Sequence, residues 1–168
     1  HTRYHKNVCQ QPSEDLLNDI RHIDQRCIEY GILEPKTFCY PGYQYNEDSV
    51  QVVKNHGFTF ARRGVAPEFE YDGHGGRGPA YDPKRHHPLL IPTTGASGPN
   101  WGWDDFLWAL EQAKNGKICI LTFHGVPALE HPWVNTSPEQ FEKYMQYMKD
   151  NIFQVISLGA LAQFNDDL

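Results

Sequence analysis

Lys117-Ile118-Cys119-Ile120-Leu121-Thr122-Phe123-His124-Gly125 contains an unbroken apolar run from Ile118 to Leu121. A run this short, with Lys on one side and His-Gly on the other, reads as a buried strand. The chain around it switches between strand and helix periods. On the C-terminal side, Ser137-Pro138-Glu139-Gln140 joins a Ser N-cap, Pro at the first helical position and Gln at the third. Phe141, Tyr144, Met145 and Met148 follow as its buried stripe, and Phe153-Gln154-Val155-Ile156 reads as a last strand. On the N-terminal side, Phe106, Leu107, Leu110 and Ala113 mark a helix stopped by Gly116, with a loop before it from Pro92 to Trp101. Leu89-Leu90-Ile91 reads as a short buried strand.

Earlier in the chain the alternation continues. Leu16, Leu17, Ile20, Ile23, Cys27 and Ile28 give a helix over 13–30, with Ser13 as N-cap and Gly31 as stop. Lys36 to Tyr40 is a strand ended by Pro41-Gly42. Asn46 caps a second helix, with Val50 and Val53 facing inward and Gly57 ending it, and Phe58 to Ala61 is the next strand. Residues 63–88 carry five Gly and four Pro with no apolar period, so they read as a long loop, of the kind that is functional or disordered. The sum is an α/β fold with a largely parallel sheet.

The 168 residues fit one domain, 1–168, able to bury a core. A net charge of −6 argues against nucleic acid or an anionic membrane as the main partner. No run reaches the roughly 20 apolar residues of a transmembrane segment. Cys9, Cys27, Cys39 and Cys119 form no C-x-x-C pair, so free thiols are expected. The chain starts at His1 without Met, so it is expected to be processed or part of a longer protein.

In parallel sheets, chemistry gathers where strands end. That rule selects Tyr40-Pro41-Gly42-Tyr43, Arg62-Arg63-Gly64 and His124-Gly125. His124, at such an end, is a candidate general acid or base. His1 and His5 lie four apart and can share one face, as two of the three protein ligands of a catalytic zinc. Gly73-His74-Gly75-Gly76-Arg77-Gly78 lacks the strand and helix that a phosphate loop needs, so it is set aside. His86 and His87 read as solvated loop residues, and Asn135-Thr136-Ser137 matches a glycosylation acceptor.

Together, His1-Thr2-x-x-His5, Phe38-Cys39-Tyr40-Pro41-Gly42 and Ile120-Leu121-Thr122-Phe123-His124-Gly125 resemble motifs of the polysaccharide deacetylase family, carbohydrate esterase family four. The resemblance implies a distorted (β/α) barrel, here incomplete at its N-terminus, because the family's Asp-Asp motif would lie before His1. It implies a divalent metal, most often zinc, held by His1 and His5, and an acetylated carbohydrate as substrate. The backbone N–H of Gly42 would stabilise the oxyanion, and His124 would protonate the leaving group. Tyr40, Pro41, Tyr43, Leu121 and Trp133 would line the substrate site. The family's third-motif Arg is replaced by Cys39, and Arg62 is the candidate substitute. Trp101 to Asp105 resembles the fourth motif in composition, although Asp at a helix start is more simply a cap. An extracellular or periplasmic location is the family's expectation. Two further readings are a non-catalytic carbohydrate-binding relative, and a copper clamp using His1 as in oxidative polysaccharide enzymes, whose β-sandwich the α/β pattern disfavours.

Overall fold

A computed structural model describes residues 1–71 and 75–164. The chain divides into two compact units, one of residues 1–63, 87–91 and 157 onward, the other of 64–86 and 92–156. The fold is mixed α/β.

The first unit follows the sequence pattern closely. Helix α1 (Ser13–Glu29) buries Leu16 and Ile20 and keeps Glu14 and Asp15 in its first turn, where the helix dipole favours anions. Ser13 is its first helical residue, not its cap: Pro12 occupies the N-cap and makes no side-chain bond. Strand β1 (Thr37–Cys39) leads into a tight turn, Pro41–Tyr43, that places Gly42 at φ 57°. Helix α2 (Glu47–His56) opens with a reciprocal box between Asn46 and Ser49, and such a cap contributes about 1 kcal/mol. Gly57 stops it in the left-handed conformation, φ 97°, which suits a residue without Cβ. Strand β2 (Phe60–Arg62) pairs with β1 in parallel, Thr37 opposite Phe60 and Cys39 opposite Arg62. Leu89 to Ile91 is not a strand. Pro88–Leu90 is a 3-10 turn, and only Ile91 bridges to Arg62. Pro88 lacks the N–H a strand ladder would use. Phe38, Tyr40, Val53, Phe58 and Leu89 share one core.

The second unit departs further. Its sheet has β4 (Gly95–Ala96) in the middle, β3 (Gly76–Arg77) antiparallel on one side and β5 (Leu121–Thr122) parallel on the other. Two segments expected to be loops thus supply strands. Ile118 to Phe123, expected to be one long strand, keeps a two-residue ladder plus a bridge from Ile118 to Tyr81. Residues 153–156 form no strand, and Val155 is 68 % exposed. In place of the distorted (β/α) barrel, incomplete at its N-terminus, that the resemblance implied, the described residues give two small sheets of short strands and no closed barrel.

Helices α3 (Trp103–Glu111) and α4 (Pro138–Asp150) make this unit's core. Ser137 caps α4 by accepting the N–H of Gln140. The Tyr144 ring stacks on Phe106 with centroids 4.3 Å apart, and its hydroxyl donates to the Trp101 carbonyl. Burial pushes the Tyr144 phenol up to about 12, against about 10 for an ordinary tyrosine. Folding therefore favours the neutral phenol. That stabilisation is complete below about pH 10 and lost as pH rises toward 12. Alkaline titration should show Tyr144 ionising together with loss of near-ultraviolet circular dichroism. Ionisation near pH 10 in the still-folded chain would contradict this.

No helix among the described residues is long and apolar enough to cross a membrane.

Candidate functional site

The first unit gathers most of the selected residues at the C-terminal ends of β1 and β2. Because Cys39 and Arg62 are register partners, their side chains meet: Arg62 Nη2 donates to Cys39 Sγ at 2.8 Å. The Arg62 guanidinium also lies 5.3 Å from the centre of the Tyr43 ring. Burial raises the Tyr43 phenol above its ordinary range, and Arg62 partly opposes that shift. An Arg on the next strand thus lies against the Cys39 side chain.

The N-terminal stretch is anchored here, with Thr2 and Val8 buried on either side of His5. His1 Nδ1 lies 2.7 Å from the Cys39 carbonyl oxygen. A carbonyl only accepts, so Nδ1 carries the proton and Nε2 of the neutral ring keeps its lone pair. The His1 and His5 rings sit with centroids 4.7 Å apart and both are exposed. His5 holds φ 52° and Tyr43 φ 61°, left-handed values that non-glycine residues seldom adopt.

The other selected residues divide between roles. Tyr40 is fully buried and its hydroxyl donates to the Leu89 carbonyl, so its ring belongs to the core. Pro41 is buried beside it, whereas Gly42 is exposed on the turn and its carbonyl accepts from the Gln44 side chain. The second unit carries Leu121 on β5, packed against the α3–α4 core, and exposed His124 just beyond it. Trp133 is 51 % exposed in the 3-10 turn Pro132–Val134, with its ring against His131. Asp105 is indeed a cap: it accepts from the Gly102 N–H and pairs with Arg77. His87 accepts the Leu89 N–H, and Thr136 is buried against Ser97. Residues 72–74, with His74 and the first glycine of the Gly73–Gly78 run, lie outside the described residues.

One cluster had no sequence signal. Asp24 on α1, Glu34 and His56 at the end of α2 bring a ligand atom each within 4.8 Å of one another. Among the described residues it is the only such trio. His56 Nε2 sits 2.6 Å from Asp24 Oδ2, and Glu34 is held by Lys36 at 2.8 Å. Lys36 keeps the Glu34 carboxyl below its usual range. The hydrogen bond between His56 and Asp24 tethers α1 to α2. The residues come from two helices and the loop between α1 and β1, so no spacing could have announced it. The four cysteines are free thiols; burial pushes Cys119 up to about 12, which makes it a poor nucleophile.

No protein-family model, no curated protein and no solved structure matches this chain.

Proposed function

We propose that the chain is a metal-dependent hydrolase that removes acetyl groups from a carbohydrate, with its metal on His1 and His5. The observation that carries this reading is the bond from His1 Nδ1–H to the Cys39 carbonyl. Metal-binding histidines are commonly oriented this way, one ring nitrogen donating to a carbonyl and the other left as ligand. His5, its ring 4.7 Å from that of His1, is placed to supply a second nitrogen. The pair fits two positions of a zinc site. When bound, such a metal polarises an acetyl carbonyl and lowers the pKa of water.

The chain's own contribution follows from the turn beside it. Gly42 is exposed at the strand end, where an N–H can face a developing oxyanion. Arg62 and Tyr43 form the wall behind it, with Arg62 fixing the Cys39 side chain. The proposal stands on the first unit alone.

The second reading is a binding protein without turnover. Its support is that no carboxylate joins His1 and His5 in a three-ligand group among the described residues.

Zinc titration followed by acetate release from acetylated chito- and xylo-oligosaccharides separates the two. The hydrolase reading expects acetate release that stops with chelator. His1→Ala and His5→Ala should each weaken zinc binding by more than the roughly 10–100-fold that loss of a ligand's hydrogen-bond partner costs. Both side chains are exposed, so both variants should keep the fold. Zinc affinity unchanged in both variants would end the metal assignment. Zinc binding with no acetate would favour the binding-only reading.

A further inference from the structure

We infer that Asp24, Glu34 and His56 form a second metal site, a zinc clip that ties helices α1 and α2 to the segment before β1. It does not rest on the hydrolase proposal, since it shares no residue with the His1–His5 site.

Each side chain is delivered by well-formed structure. Asp24 follows the buried Leu16 and Ile20 at steps of four, on the same face of α1. His56 is the last residue of α2, and its ring rests against Phe58 with centroids 5.1 Å apart. The Asp24 and His56 side chains are each only 14 % exposed. Glu34 is placed by the sheet. Two residues on, the Lys36 carbonyl accepts both the N–H and the hydroxyl of Thr59, which stands three residues past His56. Pro35 disfavours a helical Glu34. The chain after α1 is thereby held alongside the end of α2.

Several features of this place call for a cation. Asp24 Oδ2 is bonded to His56, but Asp24 Oδ1 is buried with no hydrogen-bond partner among the described residues. A buried carboxylate oxygen left so is costly, and a bound ion is one thing that satisfies it. The carbonyl end of α2 also favours positive charge at His56. Two carboxylates and a neutral imidazole sum to −2, which a divalent ion balances.

The distances suit zinc. One ligand atom from each residue lies within 4.8 Å of the others. Zinc bonds of about 2.0–2.1 Å place tetrahedral ligand atoms about 3.3 Å apart. The His56–Asp24 pair, at 2.6 Å, has to open slightly, and exposed Glu34 has to swing in. Glu34 leaves only Lys36, and both of those side chains are at least half exposed. An ion pair so placed is weak. One imidazole nitrogen with two carboxylates is a zinc donor set, whereas calcium takes six to eight oxygens and copper(I) takes sulfur. A carboxylate only accepts, so His56 Nε2 now carries the ring proton. Ligation through Nε2 moves that proton to Nδ1 of the neutral ring.

The test uses the full chain carrying His1→Ala and His5→Ala, which removes the other histidine pair. Equilibrium dialysis should find one equivalent of zinc and no calcium. NMR of the histidine ring nitrogens should show His56 change from the Nε2–H to the Nδ1–H tautomer as zinc is added. Zinc should also raise the urea midpoint, because it binds the folded chain. Glu34→Gln alters an exposed residue and should keep the fold. It should weaken zinc binding more than about tenfold, and Asp24→Asn, which conserves shape, should do the same. The proposal is overturned by no zinc on the His1→Ala, His5→Ala chain, by unchanged affinity in Glu34→Gln and Asp24→Asn, by calcium binding as tightly as zinc, or by a His56 ring that keeps its tautomer. The two metal sites fail separately. Zinc that is lost with His1 and His5 ends the clip alone, and zinc that is lost only with Glu34 or Asp24 ends the His1–His5 site alone.

Discussion

Phe106→Ala should unfold the second unit more readily than any other single truncation in its core, at a cost of about 3–5 kcal/mol. Phe106 is 0 % exposed and sits at the centre of an aromatic cluster. It stacks on Tyr144 at 4.3 Å and 17°, tilts on Trp103 at 5.4 Å, and meets Tyr147 and Trp101 edge-on at 5.9 and 6.3 Å. Removing the ring forfeits its transfer energy and leaves a cavity between two helices. The surrounding rings are rigid planes and cannot collapse into it as aliphatic side chains would. At a urea slope of about 2 kcal/mol/M, the midpoint should fall by about 2 M with the slope unchanged. A midpoint shift below about 0.5 M would mean that the cluster is loosely packed.

Helices α2 and α4 announced themselves twice, by apolar period and by cap, and α1 by its apolar period alone, since Pro12 and not Ser13 is its N-cap. The 13–30 pattern became Ser13–Glu29, Asn46 caps α2, and Ser137 caps α4. Strands were judged by apolar runs, and there the reading failed. Residues 91–98 are all buried, yet their side chains from Thr93 to Gly98 are small and half of them carry hydroxyls. The hydroxyls satisfy one another or the backbone: Thr93 with Thr122, Ser97 with Thr136, Thr94 with the Pro79 carbonyl and the Ile120 N–H. A strand at the centre of a sheet, pressed by Trp101, needs small side chains more than apolar ones, and hydropathy does not register that. The stretch from Phe153 to Ile156 is the converse: Phe153 and Val155 are apolar yet stay exposed outside any ladder. At the candidate site, His1 and His5 lie four apart in the sequence and their rings sit with centroids 4.7 Å apart. The Arg62–Cys39 contact depends on the register of two strands, and β3 comes from a segment that reads as loop.

That segment carries the last prediction. Gly78→Ala should cost about 3 kcal/mol, at the upper end of ordinary overpacking. A Cβ there would lie 2.1 Å from the Thr93 carbonyl oxygen and 3.0 Å from the Val65 side chain. The Thr93 oxygen is backbone of the buried segment leading into β4, so no rotamer change can make room. The Gly78 N–H, bonded to the Thr94 carbonyl at 2.8 Å, would be pulled away with it. Gly95→Ala meets the Trp101 ring at 2.5 Å, a side chain that can tilt, so its cost should be smaller. Gly102→Ala meets nothing within 4 Å at the start of α3, and should cost less than about 1 kcal/mol. The order of the three urea midpoints is therefore the test: Gly78→Ala lowest, Gly95→Ala between, Gly102→Ala near the parent. Close packing of residue 78 against Thr93 is what turns a glycine-rich stretch into the flank of a sheet. If Gly78→Ala were as stable as Gly102→Ala, β3 would not be seated against β4 as described.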